Sequence, residues 1–174
     1  MGGKVAQLLA GRANNQNTDL KGLMLCAPAP PSALVLPKEM QAQQLSAYTS
    51  PEAAQFVVRN VLTSPTSNLS SSTIERVVQD MLCGNESAKK AWPEYAMGED
   101  IVEEARKIDV PTLVLVGSED RVETVERVKS QTLPLIQEAR LGVIEGAGHL
   151  LMLEKTEEVA LLVEDFVGRI REGI

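Results

Sequence analysis

Val110-Pro111-Thr112-Leu113-Val114-Leu115-Val116-Gly117-Ser118-Glu119-Asp120 is the stretch from which the rest of the sequence can be read. Residues 112–116 form a short continuous apolar run without alternation. Such a run implies a strand covered on both faces, as in a parallel sheet packed between helices. A polar turn, Gly117-Ser118-Glu119-Asp120, ends it. Downstream, residues 139–145 (Ala-Arg-Leu-Gly-Val-Ile-Glu) read as another strand, followed by the turn Gly146-Ala147-Gly148-His149. Upstream, residues 20–27 (Leu-Lys-Gly-Leu-Met-Leu-Cys-Ala) read as a buried strand ended by Pro28, Pro30 and Pro31.

Helical segments separate these strands. Val5, Leu8 and Leu9 give residues 4–12 an apolar face, stopped by Gly11 and Asn14-Asn15-Gln16-Asn17. A polar helical stretch runs from about Val122 to Gln137, interrupted near Pro134. Residues 156–171 carry Val159, Leu162, Val163, Phe166, Val167 and Ile170 on one face. Glu157 and Glu158 suit the positive start of that helix, and Arg169 and Arg171 its negative end. Strands alternating with helices imply a parallel sheet with right-handed crossovers. Three strands are few for such a sheet, and the expectation is that an N-terminal portion precedes Met1.

Residues 32–105 differ in character, being rich in Ser, Gln, Asn and Glu. Short helical pieces are expected there and no strand. One starts at Ser50-Pro51, with Pro at the first helical position, and carries Phe56, Val57, Val61 and Leu62. A second, capped at Ser72 or Thr73, carries Ile74, Val77, Val78, Met81 and Leu82. Trp92-Pro93 reads as a turn.

Composition narrows the function. The chain has 174 residues, enough for one domain with a sizeable core, and aromatic residues are only 3% of it, so Val, Leu, Ile, Met and Ala must fill that core. The net charge of -7 argues against nucleic acid and against an anionic membrane surface. No apolar run approaches the roughly 18 residues of a membrane span. Cys26 and Cys83 make no zinc pattern with the single histidine and read as reduced, buried thiols of a cytoplasmic protein.

Two residues stand out for chemistry. His149 follows glycines that let a turn project it above the carboxyl edge of the sheet, where sites form in α/β folds. Its imidazole can take and return a proton near neutral pH. Asp120 ends the equivalent turn one strand earlier, where it could partner the imidazole or cap the helix that follows. Glu119 and Glu123 are alternatives. Ser32 and Ser118 read as loop residues, since neither lies in a Gly-x-Ser-x-Gly context.

Three motifs, Met1-Gly2-Gly3-Lys4-Val5-Ala6-Gln7-Leu8-Leu9-Ala10-Gly11-Arg12, residues 110–120 and residues 142–159, occur in an order that resembles the C-terminal part of a cap-bearing α/β-hydrolase. The resemblance implies a partial core at 1–29 and 106–174, with a helical cap inserted at 30–105. It implies three parallel strands of a larger sheet. Met1-Gly2-Gly3 match the positions just after the family's nucleophile, which is then expected before Met1; the Met1 backbone N–H becomes an oxyanion-hole donor. Asp120 and His149 become the acid and base of a triad. One departure is the absence of a proline shortly after Asp120, at Val122-Glu123-Thr124. The implied activity is hydrolysis of an ester or related acyl bond in a small apolar substrate, without metal or organic cofactor. The Ser-Met-Gly-Gly form fits a serine nucleophile better than the aspartate of epoxide hydrolases and dehalogenases. The competing expectation is a non-catalytic or binding protein that keeps the fold. Met40, Leu45, Phe56, Val57, Met81, Trp92 and Met97 are candidates for a pocket lining or for the cap's own core. An open strand edge at 20–27 implies self-association, and the 174 residues alone are expected to be inactive.

Overall fold

A computed structural model of the chain describes residues 1–13 and 19–173. Asn14 to Asn17, where the first helix was expected to stop, lie outside the described residues. Helix α1 (Gly2–Ala13) leads to strand β1 (Leu23–Cys26). The helical stretch holds α2 (Lys38–Ser46), α3 (Pro51–Val57), a π-helical turn (Val58–Leu62), α4 (Ser71–Cys83), α5 (Glu86–Glu94), a 3-10 turn (Ala96–Gly98) and α6 (Val102–Ala105). Strand β2 (Thr112–Gly117), α7 (Val125–Gln131), a 3-10 turn (Leu133–Leu135), β3 (Ala139–Ile144), α8 (Leu151–Glu154) and α9 (Thr156–Glu172) complete the chain.

The strands form one parallel sheet in the order β1-β2-β3. Leu23 pairs with Thr112 at one end of β1, and Gly117 pairs with Ile144 at the end of β3. Every residue of β2 is buried, and its side chains divide between two layers. Val114 and Val116 join Leu23, Leu25, Ala10, Ala105, Ile108, Val128 and Ile136 on one face. Leu113 and Leu115 join Ile144, Ala147, Leu151 and Val159 on the other, with Met24, Leu162, Val163 and Phe166 packed alongside. A central strand between two apolar layers has no polar face to expose, which explains its unbroken apolar run.

Several boundaries differ from expectation for local reasons. The cap of α4 is Ser70, whose Oγ accepts the Thr73 amide at 3.1 Å, two residues before the first of the expected positions. Ser50 caps α3 as expected, accepting the Ala53 amide. Pro93 falls inside α5 rather than in a turn; it ends that helix within a residue because it has no N–H to donate. Helix α7 starts only at Val125, because Thr124 is its cap and accepts the Arg127 amide at 3.2 Å.

The buried face of α1 is the reverse of the expected one. Val5 is 50% and Leu9 62% exposed, while Lys4, Gln7, Ala10 and Gly11 are buried. The buried polar groups are met by carbonyls. Lys4 Nζ donates to Ser32 O at 3.1 Å and to Met97 O at 3.0 Å. Gln7 Nε2 donates to Gly3 O and Ala29 O, each at 3.0 Å. A buried amine or amide is tolerated when such acceptors are supplied.

Cys83 is exposed and Cys26 half-buried, so only Cys26 matches the expected shielded thiol. Burial pushes the Cys26 thiol up, which keeps it protonated near neutral pH. No helix among the described residues is long and apolar enough to cross a membrane.

Candidate active site

Strands β2 and β3 are parallel neighbours, so the turns that leave them emerge side by side at the carboxyl edge of the sheet. The turns are tied together by backbone and side chain. Ser118 N donates to Ile144 O at 3.0 Å and Glu119 N to Ala147 O at 2.9 Å. Ser118 Oγ accepts the Gly146 amide at 2.9 Å. Gly117 permits this closeness: a Cβ there would lie 2.2 Å from Ala147 O and 2.4 Å from Gly148 O. Gly146, at φ +68°, turns the chain after β3 in a conformation that favours glycine.

Asp120 and His149 meet between these turns. His149 Nδ1 lies 2.9 Å from Asp120 Oδ2. The Asp120 side chain is fully buried and the imidazole 26% exposed. Asp120 Oδ1 accepts the Val122 amide at 2.8 Å and the Glu123 amide at 2.9 Å. One carboxylate oxygen is thus fixed by the backbone and the other is left for the imidazole. An ionised carboxylate only accepts, so Nδ1 carries the proton of this bond and Nε2 is the free basic nitrogen. The two roles weighed for Asp120, turn cap and imidazole partner, are filled by different oxygens of the same group.

The alternative acids lie apart from this bond. Glu123 is buried and pairs with Arg127 Nη1 at 3.3 Å. Burial pushes its carboxyl up, opposed by the Arg127 and His149 charges and reinforced by Asp120. Glu119 offers its amide to Ala147 O rather than a carboxylate to the ring. Met1 is exposed, immediately before α1, and its carbonyl accepts the Lys4 amide at 3.0 Å.

Of the serines weighed, Ser32 contributes its carbonyl to Lys4, and Ser118 holds the two turns together. Among the described residues, the imidazole has one hydrogen bond, that to Asp120. No cluster of three His, Cys, Asp or Glu side chains among the described residues could hold a metal ion.

The expected pocket lining disperses. Met40 and Phe56 are exposed, Met97 is buried under the Lys4 contacts, and Met81 packs with Ile74 and Val78. Leu45 alone of the set lines a groove of about 420 Å³ between α2 and α5, beside Tyr48, Lys89 and Lys90. Neither Asp120 nor His149 lines it.

Sequence reasoning missed Glu154, five residues after the histidine. Its Oε1 accepts the Gly148 amide at 3.0 Å and its Oε2 the Ser64 amide at 2.8 Å. Its place in the short acidic end of α8 gives no local sign of a partner 90 positions away.

Comparison with known proteins bears on family and fold. The family model described as Hydrolase_4, serine aminopeptidase, S33, matches residues 1–156. The fold is similar to that of a bromoperoxidase from Bacillus anthracis, at 16% identity and TM-score 0.75, covering 92% of this chain and 63% of that one. It is similar to an enol-lactonase from Burkholderia xenovorans LB400, at 20% identity and TM-score 0.73, covering 97% of this chain and 63% of that one. It is also similar to the carboxylesterase CesB from Bacillus subtilis, at 17% identity and TM-score 0.70, covering 91% of this chain and 55% of that one. The chain therefore spans 55% to 63% of the length of these structures. No curated protein matches the chain.

Proposed function

The chain belongs to the serine aminopeptidase S33 family of α/β-hydrolases, and from that premise we propose that it carries the acid and base of a serine hydrolase. The bond cleaved is an ester or related acyl bond in a small, apolar substrate. The observation that supports this reading is the 2.9 Å hydrogen bond between His149 Nδ1 and a buried, backbone-fixed Asp120. It leaves Nε2 as the proton acceptor at the edge of the sheet where sites form.

In this reading the nucleophile is a serine outside residues 1–174, next to Met1 on its N-terminal side. His149 Nε2 takes the hydroxyl proton as Oγ attacks the acyl carbon. The carbonyl oxygen becomes an oxyanion, stabilised by the Met1 backbone N–H and a second donor outside the chain. As the tetrahedral intermediate collapses, His149 returns the proton to the leaving alkoxide, and an acyl-serine remains. Water, deprotonated by His149, releases the acid and restores the serine. Asp120 holds the imidazole in the required tautomer throughout. Residues 1–29 and 106–174 form the catalytic core, and residues 30–105 serve as its cap.

Fluorophosphonate labelling and p-nitrophenyl ester turnover test the reading. They are applied to the 174-residue chain and to the product of the coding sequence extended upstream of Met1. The extended protein labels and turns over ester, and His149→Ala abolishes both; the shorter chain stays at background. An acylation burst from the shorter chain that His149→Ala removes would locate the nucleophile within it and overturn the assignment.

A further inference from the structure

Both site turns grip one short segment of the helical stretch. Arg121, next to Asp120, donates from Nη1 to Asn60 O at 2.9 Å. Leu150, next to His149, donates its amide to Leu62 O at 3.0 Å. Gly148, on the other side of His149, shares Glu154 with Ser64 through the two bonds already described. The Leu150 side chain packs against the cluster formed by Ala54, Val58, Ile74 and Val78.

The segment is the π-helical turn at Val58–Leu62 with Thr63 and Ser64. A helix end leaves carbonyls without internal partners, and here Asn60 and Leu62 offer theirs to the two turns. Thr63 closes the turn from inside, its amide donating to Val58 O at 3.0 Å and its hydroxyl at 2.9 Å. The contact is tight. A Cβ at Gly148 would lie 2.6 Å from Ser64 N and 2.7 Å from Thr63 C.

We propose that residues 58–64 are the seat through which the helical stretch sets the orientation of His149, with Glu154 as the positioning residue. The proposal rests on the reading of Asp120 and His149 as acid and base. Glu154 has the chemistry for this task. Two N–H donors, one from each side of the joint, need two acceptors, and an ionised carboxylate supplies two. A glutamine supplies one acceptor oxygen and turns an NH2 toward the second donor. Displacing the helical stretch breaks the Ser64 and Leu62 bonds together, freeing the Leu150 amide and leaving Glu154 with the Gly148 amide alone. The seated cover thus adds a brace on either side of His149 to the bond that Asp120 supplies.

The single histidine makes the test direct, because every imidazole signal belongs to His149. The 174-residue chain is prepared as wild type, Glu154→Gln, Glu154→Ala and Glu158→Gln, the last as an exposed charge control from the Lys155 pair. Amide hydrogen exchange is read at Gly148 and Ser64, and the hydrogen-bonded Nδ1 proton of His149 is followed by NMR. Glu154→Gln is expected to speed exchange at one or both amides by about tenfold, the loss of one hydrogen bond, and to shift the Nδ1 resonance. Glu154→Ala does so at both amides, and Glu158→Gln at neither. Should Glu154→Ala fail to fold, Glu154→Gln decides alone. A folded Glu154→Gln chain with unchanged exchange at both amides and an unchanged Nδ1 signal overturns the proposal. None of these readouts needs turnover. Loss of the ester activity expected of the extended protein therefore counts against the hydrolase reading and not against the seat.

Discussion

His149 Nδ1 and Asp120 Oδ2 lie 2.9 Å apart at the ends of adjacent parallel strands, while two backbone amides hold the other Asp120 oxygen. The carboxylate cannot rotate away from the ring without abandoning both amides. Asp120→Asn should therefore keep the turn but lose the low-field Nδ1 proton resonance, because an amide NH2 facing the ring favours the other tautomer. In the extended protein the same substitution should lower kcat by about 10⁴-fold. A persistent low-field proton in Asp120→Asn would separate that signal from this bond.

Gly117 closes the gap between the turns, with Ala147 O and Gly148 O in the space a side chain would take. Gly117→Ala should lower unfolding free energy by about 1–3 kcal/mol through overpacking. The His149 resonance should move in the same variant, since the histidine turn must shift to admit the methyl. Urea unfolding followed by circular dichroism checks the first outcome, and an unchanged midpoint would contradict the contact.

The inverted face of α1 gives a paired test. Lys4 is buried with two carbonyl partners, and Val5 is half exposed. Lys4→Met should cost about 1–3 kcal/mol by orphaning buried acceptors, although it makes the helix more apolar. Val5→Lys should change stability by less than about 0.5 kcal/mol. The reverse ranking in thermal unfolding would restore the face expected from the sequence.

Glu123 should make stability fall with rising pH. Burial raises its carboxyl above the ordinary value of 4.5, so within the window from 4.5 up to the folded value the folded chain binds more protons than the unfolded one. Stability from this group is complete below 4.5 and is lost as pH rises through the folded value. Arg127, His149 and Asp120 face the same group, so the difference between wild type and Glu123→Gln isolates it. The expected result is a melting temperature that falls with pH more steeply in wild type than in Glu123→Gln, measured from pH about 4 to 7. Parallel curves would remove Glu123 from the account.

Strand β1 has a partner on one side only among the described residues. Its free edge, with exposed Val5 and Leu9 on the neighbouring helix, should make the isolated chain associate as concentration rises. Sedimentation velocity across a hundredfold concentration range is the measurement, and a constant monomer value would count against it.

The three strands and the two turns were legible in the sequence because each has a local signature, whereas the pairing of Asp120 with His149 came from the resemblance to a family. A doubly covered strand must be apolar throughout, a turn after it needs glycine, and parallel neighbours deliver their ends to one edge. Of the helices of residues 38–105, α3 and α4 were legible from their serine starts and apolar spacing; α2 and α6 begin without a side-chain cap and left no such sign. Which face of α1 goes inward was decided by tertiary structure. Lys4 and Gln7 read as polar in any window, and only the carbonyls of Ser32, Met97 and Ala29 make their burial favourable. The same holds at Glu154 and Ser118, whose partners Ser64 and Gly146 lie far along the chain. A hydrogen bond between distant residues leaves no periodicity, so the sequence determined the elements and the turns that carry Asp120 and His149, and the packed chain alone determined what holds the two side chains still.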